Sequence, residues 1–223
     1  MALLARECAV VVVVDVLSFC TSVDVAIGRG GRVLPQRWVD PARPAAQGAV
    51  QAGRREGPGP SLRPSSLLGL APGTLLALPS PNGAALCVAA ARYDAVVLAG
   101  CLRNATATAA EAAARAAGGP IGIVPAGERW PDGVLRVAAE DALGAGAIIA
   151  ALRTRTAGGT FSPEAELVAA QFAAAVDHLP AILSGLASGR ELIADGYGAD
   201  VDLAAAHDVS TFAPRLVDGV LAG

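Results

Sequence analysis

Asp15 closes the apolar run Ala9-Val10-Val11-Val12-Val13-Val14 and is followed at short range by Ser18, Thr21 and Ser22. A carboxylate at the tip of a buried strand can cap the next turn, bind Mg²⁺ or attack phosphorus. The hydroxyls after it can hydrogen-bond phosphate oxygens or cap a helix. Ser80-Pro81-Asn82-Gly83 is a tight-turn signal between a strand and a helix, a place where backbone N–H groups can face a ligand. Glu128, Glu140 and Asp141 form a second acidic group. Magnesium takes one or two carboxylates together with waters and phosphate oxygens, and the alternative role for Glu140 and Asp141 is to favour a helix dipole. Arg63, Arg103 and Arg129 are candidates to hold an anionic group. His178 and His207 stand in no metal-ligand pattern and read as surface or cap positions. Asp195, Asp200, Asp202 and Asp208 lack calcium-loop spacing and read as caps of short helices.

The basic residues sharpen this. All 17 are Arg, and the chain contains no Lys. A Walker-type phosphate loop, a Schiff-base enzyme and a protein kinase each need a Lys, so these three classes are excluded. Any anion must rest on Arg, backbone N–H groups, hydroxyls or a metal. A formal charge of −3 argues against a nucleic-acid partner. With 17% charged residues among 223, the chain is no solvating disordered segment and can bury a core. The core must be aliphatic, because aromatics are only 4%. Cys8, Cys20, Cys87 and Cys101 form no C-x-x-C pair and read as mostly buried free thiols. The apolar run before Asp15 is too short to span a bilayer, so the expectation is a soluble, cytoplasmic protein without a membrane partner.

Elements that would position these groups follow from the pattern. Strands are predicted at 9–14, 32–35, 74–78, 95–99 and 121–124. Leu17 to Ser22 is followed by a short helical pattern to Ile27, and further helices are predicted from Ala84 to Arg92, from Asn104 to Ala117 and, around Glu140 and Asp141, to Leu152. Ala42 to Gln51 reads as a further helix, and Gly53 to Ser66 as a long irregular, mobile loop. After residue 160 the chain reads as mostly helical, opening at the capped start Ser162-Pro163-Glu164. Alternating strands and helices imply an α/β domain with a largely parallel or mixed sheet and helices on both faces. Residues 1–223 read as a single domain. Ligands of such sheets gather at strand carboxyl ends. Asp15–Ser22, Ser80–Gly83, Arg103-Asn104 and Gly127–Arg129 all fall there.

Taken in order, these motifs resemble the 2-phosphosulfolactate phosphatase family. The resemblance rests on Val13-Val14-Asp15-Val16-Leu17, Ser80-Pro81-Asn82-Gly83, Ala126-Gly127-Glu128 and the run from Glu140-Asp141 to Ile149. It continues through Gly189-Arg190, Gly198-Ala199-Asp200-Val201 and Asp208-Val209-Ser210. It implies a three-layer α/β/α fold and a Mg²⁺-dependent phosphatase. The substrate would be a small phosphorylated sulfonated hydroxy acid of the coenzyme M pathway. Carried over by motif, Asp15, Asn82, Gly83, Glu128, Glu140 and Asp141 are the candidate site residues. The chain departs from the family at Ser18, where Arg is frequent, at Pro81, and at Ser61-Leu62-Arg63-Pro64-Ser65-Ser66 in the long loop.

The resulting expectation is a Mg²⁺ ion held by two or three of Asp15, Glu128, Glu140 and Asp141. Asp15, Asn82 and Glu128 would serve catalysis. Ser18, Thr21, Ser22, Ser80, Asn82, Gly83, Arg63, Arg103 and Arg129 would bind the phosphorylated anionic substrate. Alternatives are a phosphatase of another small monoester and a non-catalytic binder of a phosphorylated metabolite. The Ala-rich surface is compatible with a homodimer.

Overall fold

The structure is a computed structural model that describes residues 1–37, 47–156 and 158–223. Its centre is an eight-stranded sheet in the order β3-β4-β2-β10-β9-β5-β1-β6. The strands are β1 (Val10–Val14), β2 (Arg32–Gln36), β3 (Val50–Gln51), β4 (Leu75–Pro79), β5 (Val96–Gly100), β6 (Ile121–Pro125), β9 (Arg215–Val217) and β10 (Val220–Ala222). A separate two-stranded hairpin joins β7 (Glu128–Arg129) to β8 (Leu135–Arg136). The helices are α1 (Ala2–Glu7), α2 (Phe19–Gly28), α3 (Gly83–Ala90), α4 (Ala105–Ala116), α5 (Ala139–Arg153), α6 (Pro163–Ala175), α7 (Leu179–Gly185), α8 (Ala187–Ala194) and α9 (Gly198–Ala205). Helices flank this mixed sheet, giving the three-layer α/β/α arrangement.

β1 is buried along its whole length because it is a middle strand with cover on both faces. It runs parallel to β5 and β6. On the other side of the sheet β2, β4 and β3 also run parallel. Between the two trios sits the hairpin β9–β10, antiparallel to β5 through β9 and to β2 through β10. The pairing signs therefore set the trios in opposite directions. β10 meets β2 at Leu221–Val33. This register lies two residues short of Pro35, which has no N–H to offer a further strand.

Two glycines let α5 lie close to the sheet. A Cβ on Gly144 would come within 2.7 Å of Val16 and 2.9 Å of Val14, and one on Gly100 would strike Ile148 of α5 at 2.6 Å. This close approach matters for the site, because α5 carries Glu140 and Asp141 in its first turn.

The sequence reading needs three corrections. The expected helix over 42–51 lies partly outside the described residues, and its described part, 47–51, is a turn followed by β3. The loop expected to be mobile over 53–66 is instead packed down. Ser61 and Pro64 are buried, and a 3-10 turn at Pro64–Leu67 packs against α2 and α9. The mostly helical reading after residue 160 holds from Pro163 to Ala205 but omitted β9 and β10, whose short segments carry too few residues to show an alternating pattern. The segment Pro163–Gly185 is long and apolar enough to cross a membrane by composition. It is formed by α6, a 3-10 turn at Val176–His178 and α7, with Phe172, Leu179 and Leu183 buried against the rest.

Gly144→Ala should destabilise the protein by about 1–3 kcal/mol, because valines already fill the space of the new methyl. Urea unfolding should show a lower midpoint at an unchanged slope.

Candidate active site

Asp15 follows β1 directly and is buried. Its two oxygens are held by two different helix starts. The Phe19 N–H of α2 donates to Oδ1 at 3.0 Å, and the Gly83 N–H of α3 donates to Oδ2 at 2.9 Å. Both donors belong to the first turn of a helix, where backbone N–H groups lack intrahelical partners and the dipole favours an anion. Gly83 is required at this contact. A Cβ there would sit 2.6 Å from the Phe19 ring and 2.7 Å from Asp15 Oδ2.

Around this carboxylate the second acidic group assembles. Asn82 Nδ2 donates to Glu128 Oε1 at 2.8 Å, and the Arg129 N–H donates to the same oxygen at 2.9 Å. Asp141 accepts the Val16 N–H at 2.7 Å and the Gly127 N–H at 2.9 Å. It thereby clamps the residue after Asp15 to the residue before Glu128. Gly127 has φ +70°, a conformation glycine adopts without strain. Glu140 is buried beside Asp141 in the same helical turn.

Burial pushes the Asp15 carboxyl up to about 6, against the pull of its two N–H bonds; the nearby Glu128 charge adds to the rise and Arg55 opposes it. Burial also pushes Asp141 well up, with the Asp15 and Glu140 charges acting in the same sense. Both carboxyls are therefore held in surroundings that disfavour their charged forms, chiefly because water is excluded. Among the described residues no three Asp, Glu, His or Cys groups lie close enough to form a metal cage. The donor set fits a hard cation differently. Each Asp15 oxygen keeps a second lone-pair site, and both bonds to Glu128 fall on Oε1. One or two carboxylates completed by waters and phosphate oxygens is the usual habit of Mg²⁺.

The substrate-binding expectations are placed differently. Thr21 Oγ1 donates to the Val16 carbonyl and Ser22 Oγ to the Leu62 carbonyl, so neither hydroxyl proton is free for phosphate. The Asn82 and Gly83 N–H groups are taken by Ser80 Oγ and Asp15. Of the backbone cradle read at this turn, the Gly83 N–H therefore serves the Asp15 carboxylate, which needs that donor once buried, and the Asn82 N–H serves the turn itself. Arg103 is bound to buried Asp24 at 2.8 Å and to the Leu203 carbonyl. Arg129 closes the β7–β8 hairpin on the Gly133 carbonyl. Arg63 lies over the Tyr197 ring at 5.5 Å.

Ser18 leads to a residue that the sequence reading passed over. Arg55 Nη2 donates to Ser18 Oγ at 3.1 Å, from the long loop. Its only sequence signal was an Arg pair, Arg54-Arg55, inside a Gly- and Pro-rich stretch of a lysine-free chain. Asp200 is fully buried and accepts the Ser65 N–H, tying the same loop to α9. Asp208 caps α4 across the fold, accepting from Thr106 N and Oγ1, and His207 pairs with it at 3.3 Å.

With this geometry in place, comparison with known proteins gives one family. Residues 3–219 match the model of the 2-phosphosulpholactate phosphatase family. The chain belongs to that family, whose members are phosphatases, that is, phosphoric monoester hydrolases. No curated protein matches the chain.

Two results are expected from these contacts. Gly83→Ala should lower stability by about 1–3 kcal/mol and displace Asp15, read by urea unfolding together with activity. The pH dependence of Asp15 has a definite sign. The stability from its raised value is complete below the unfolded value near 3.8 and is lost as pH rises through about 6. In chelator, the stability of Asp15→Asn relative to the native chain should therefore increase by about 1 kcal/mol between pH 5 and pH 8. The fixed cost of the altered hydrogen bond cancels in this difference.

Proposed function

We propose that this member of the 2-phosphosulpholactate phosphatase family hydrolyses 2-phosphosulfolactate to sulfolactate and inorganic phosphate, as a Mg²⁺-dependent step of coenzyme M synthesis in the cytoplasm. The observation that carries the reading is the meeting of Asp15, Asn82, Glu128 and Asp141 beyond the end of β1, bound to one another through Gly83, Val16 and Gly127. Asp15 and Glu128 are the residues that would hold the ion. When bound, it would neutralise charge developing on the phosphoryl oxygens.

The chain's own groups supply the rest. Asp15 is ionised above about pH 6 and is fixed by two N–H bonds, so it is held as a stationary charge. Such pinning favours attack by water over attack by Asp15 itself. The P–O bond to water forms, the ester P–O bond breaks, and the proton goes to the leaving alcohol oxygen. Asn82 orients Glu128, and Asp141 fixes the backbone on both sides of the site. Ser18, where the family often carries Arg, favours a second reading in which the ester is a different small phosphate monoester.

A panel of small phosphate esters, assayed with Mg²⁺ and with chelator, tests this. Phosphate release from racemic 2-phosphosulfolactate that chelator abolishes is expected. Asp15→Ala should lower kcat/KM by roughly 10²–10³-fold or more. Ligand-induced stabilisation without turnover would mark a binder instead.

A further inference from the structure

Arg55 is a cation with no carboxylate in direct contact among the described residues. Of its guanidinium nitrogens, Nη2 is bonded to Ser18 Oγ, whereas Nη1 is buried with no hydrogen-bond partner. Among the described residues it makes no salt bridge, although Asp200, Asp15 and Glu128 all lie near enough to support its charge. Arg63 repeats the arrangement. Its Nε is buried without a partner, and among the described residues its guanidinium makes one long hydrogen bond, from Nη2 to the Gly57 carbonyl at 3.5 Å. Both guanidinium groups lie over the ring of Tyr197, at 5.9 Å and 5.5 Å. A buried donor left unmade costs about 1–3 kcal/mol, and more on a charged group. Two such arginines against one ring are therefore explained best by an anion that arrives from outside.

We propose that Arg55, with Arg63 against the same Tyr197 ring, holds the second anionic group of the substrate: the sulfonate or carboxylate next to the ester, not the phosphoryl group. This rests on the phosphatase reading given above. Arg55 hangs from Ser18 at the start of α2, and Asp200 of α9 supports its charge more than Asp15 does. The phosphoryl group belongs at Asp15 and Glu128, and the cationic corner is placed to receive the rest of the molecule. Ser18 then has a role of its own. A small hydroxyl at this position leaves room for a guanidinium that enters from the long loop and gives it a fixed anchor.

The test compares three esters: racemic 2-phosphosulfolactate, 2-phospholactate, which lacks the sulfonate, and glycerol 2-phosphate, which lacks both acid groups. In Arg55→Met the ratio of kcat/KM for 2-phosphosulfolactate over glycerol 2-phosphate should fall by roughly 10- to 100-fold. A parallel fall for 2-phospholactate assigns the carboxylate, and a fall confined to 2-phosphosulfolactate assigns the sulfonate. An unchanged ratio overturns the proposal, including the case where all three esters lose equally. If Arg55→Met does not fold, Arg55→Lys keeps the charge without the planar fork and should lower the same ratio less; an unchanged ratio there also overturns it. If the native chain hydrolyses none of the esters, the phosphatase reading fails by itself. The subsite is then decided by the thermal shift with racemic sulfolactate. A shift in the native chain that the Arg55 variant loses supports it, and an equal shift in both, or none in the native chain, overturns it.

Discussion

The arrangement depends on one buried carboxylate bound to two helix starts. Asp15 belongs to the β5-β1-β6 trio, and Gly83 follows β4 in the opposed trio. The bond between them connects the two halves at the place where chemistry is proposed. Burying a carboxylate is unfavourable unless donors surround it, and the first turns of α2 and α3 provide donors that have no other partner. Helix placement and the need for glycine at 83 follow from this contact, while burial of the carboxylate raises its proton affinity against the pull of the two bonds. Asp141 repeats the device one layer away, with the Val16 and Gly127 N–H groups as its donors.

Much of the frame was readable because it obeys short-range rules. Five valines in a row before Asp15 can only be a strand covered on both faces, and β1 is one. Glu140 and Asp141 head α5 as their position in the apolar pattern implies. The two closing strands were not readable. Each is three residues long and is stabilised by partners far away in sequence, so nothing local marks it. The described part of the stretch from 42 to 51 failed for a similar reason: a two-residue strand is defined by its neighbour β4 alone.

At the site the split is the same. Asp15, Asn82, Glu128 and Asp141, which hydrogen bonds bring together, were picked out as candidates because each stands beside a strand end or opens a helix. Arg55 was not, since Gly- and Pro-rich surroundings read as irregular whether or not the loop packs. What holds the loop down is long-range: Ser22 Oγ to the Leu62 carbonyl, and the Ser65 N–H to Asp200. Thr21, Ser22 and the Asn82-Gly83 amides were read as ligand donors. They proved internal, because the buried backbone and Asp15 require them first.

The placement of the β9–β10 hairpin bears on how the chain is made. β1, β2, β4, β5 and β6 all leave the ribosome before residues 215–222, yet β2 and β5 find their inner neighbours only in that hairpin. Until it emerges, a nascent chain carries two half-sheets, each with an open, apolar flank. Such flanks pair readily with other chains, so mispairing threatens this fold most before residues 215–222 have been made.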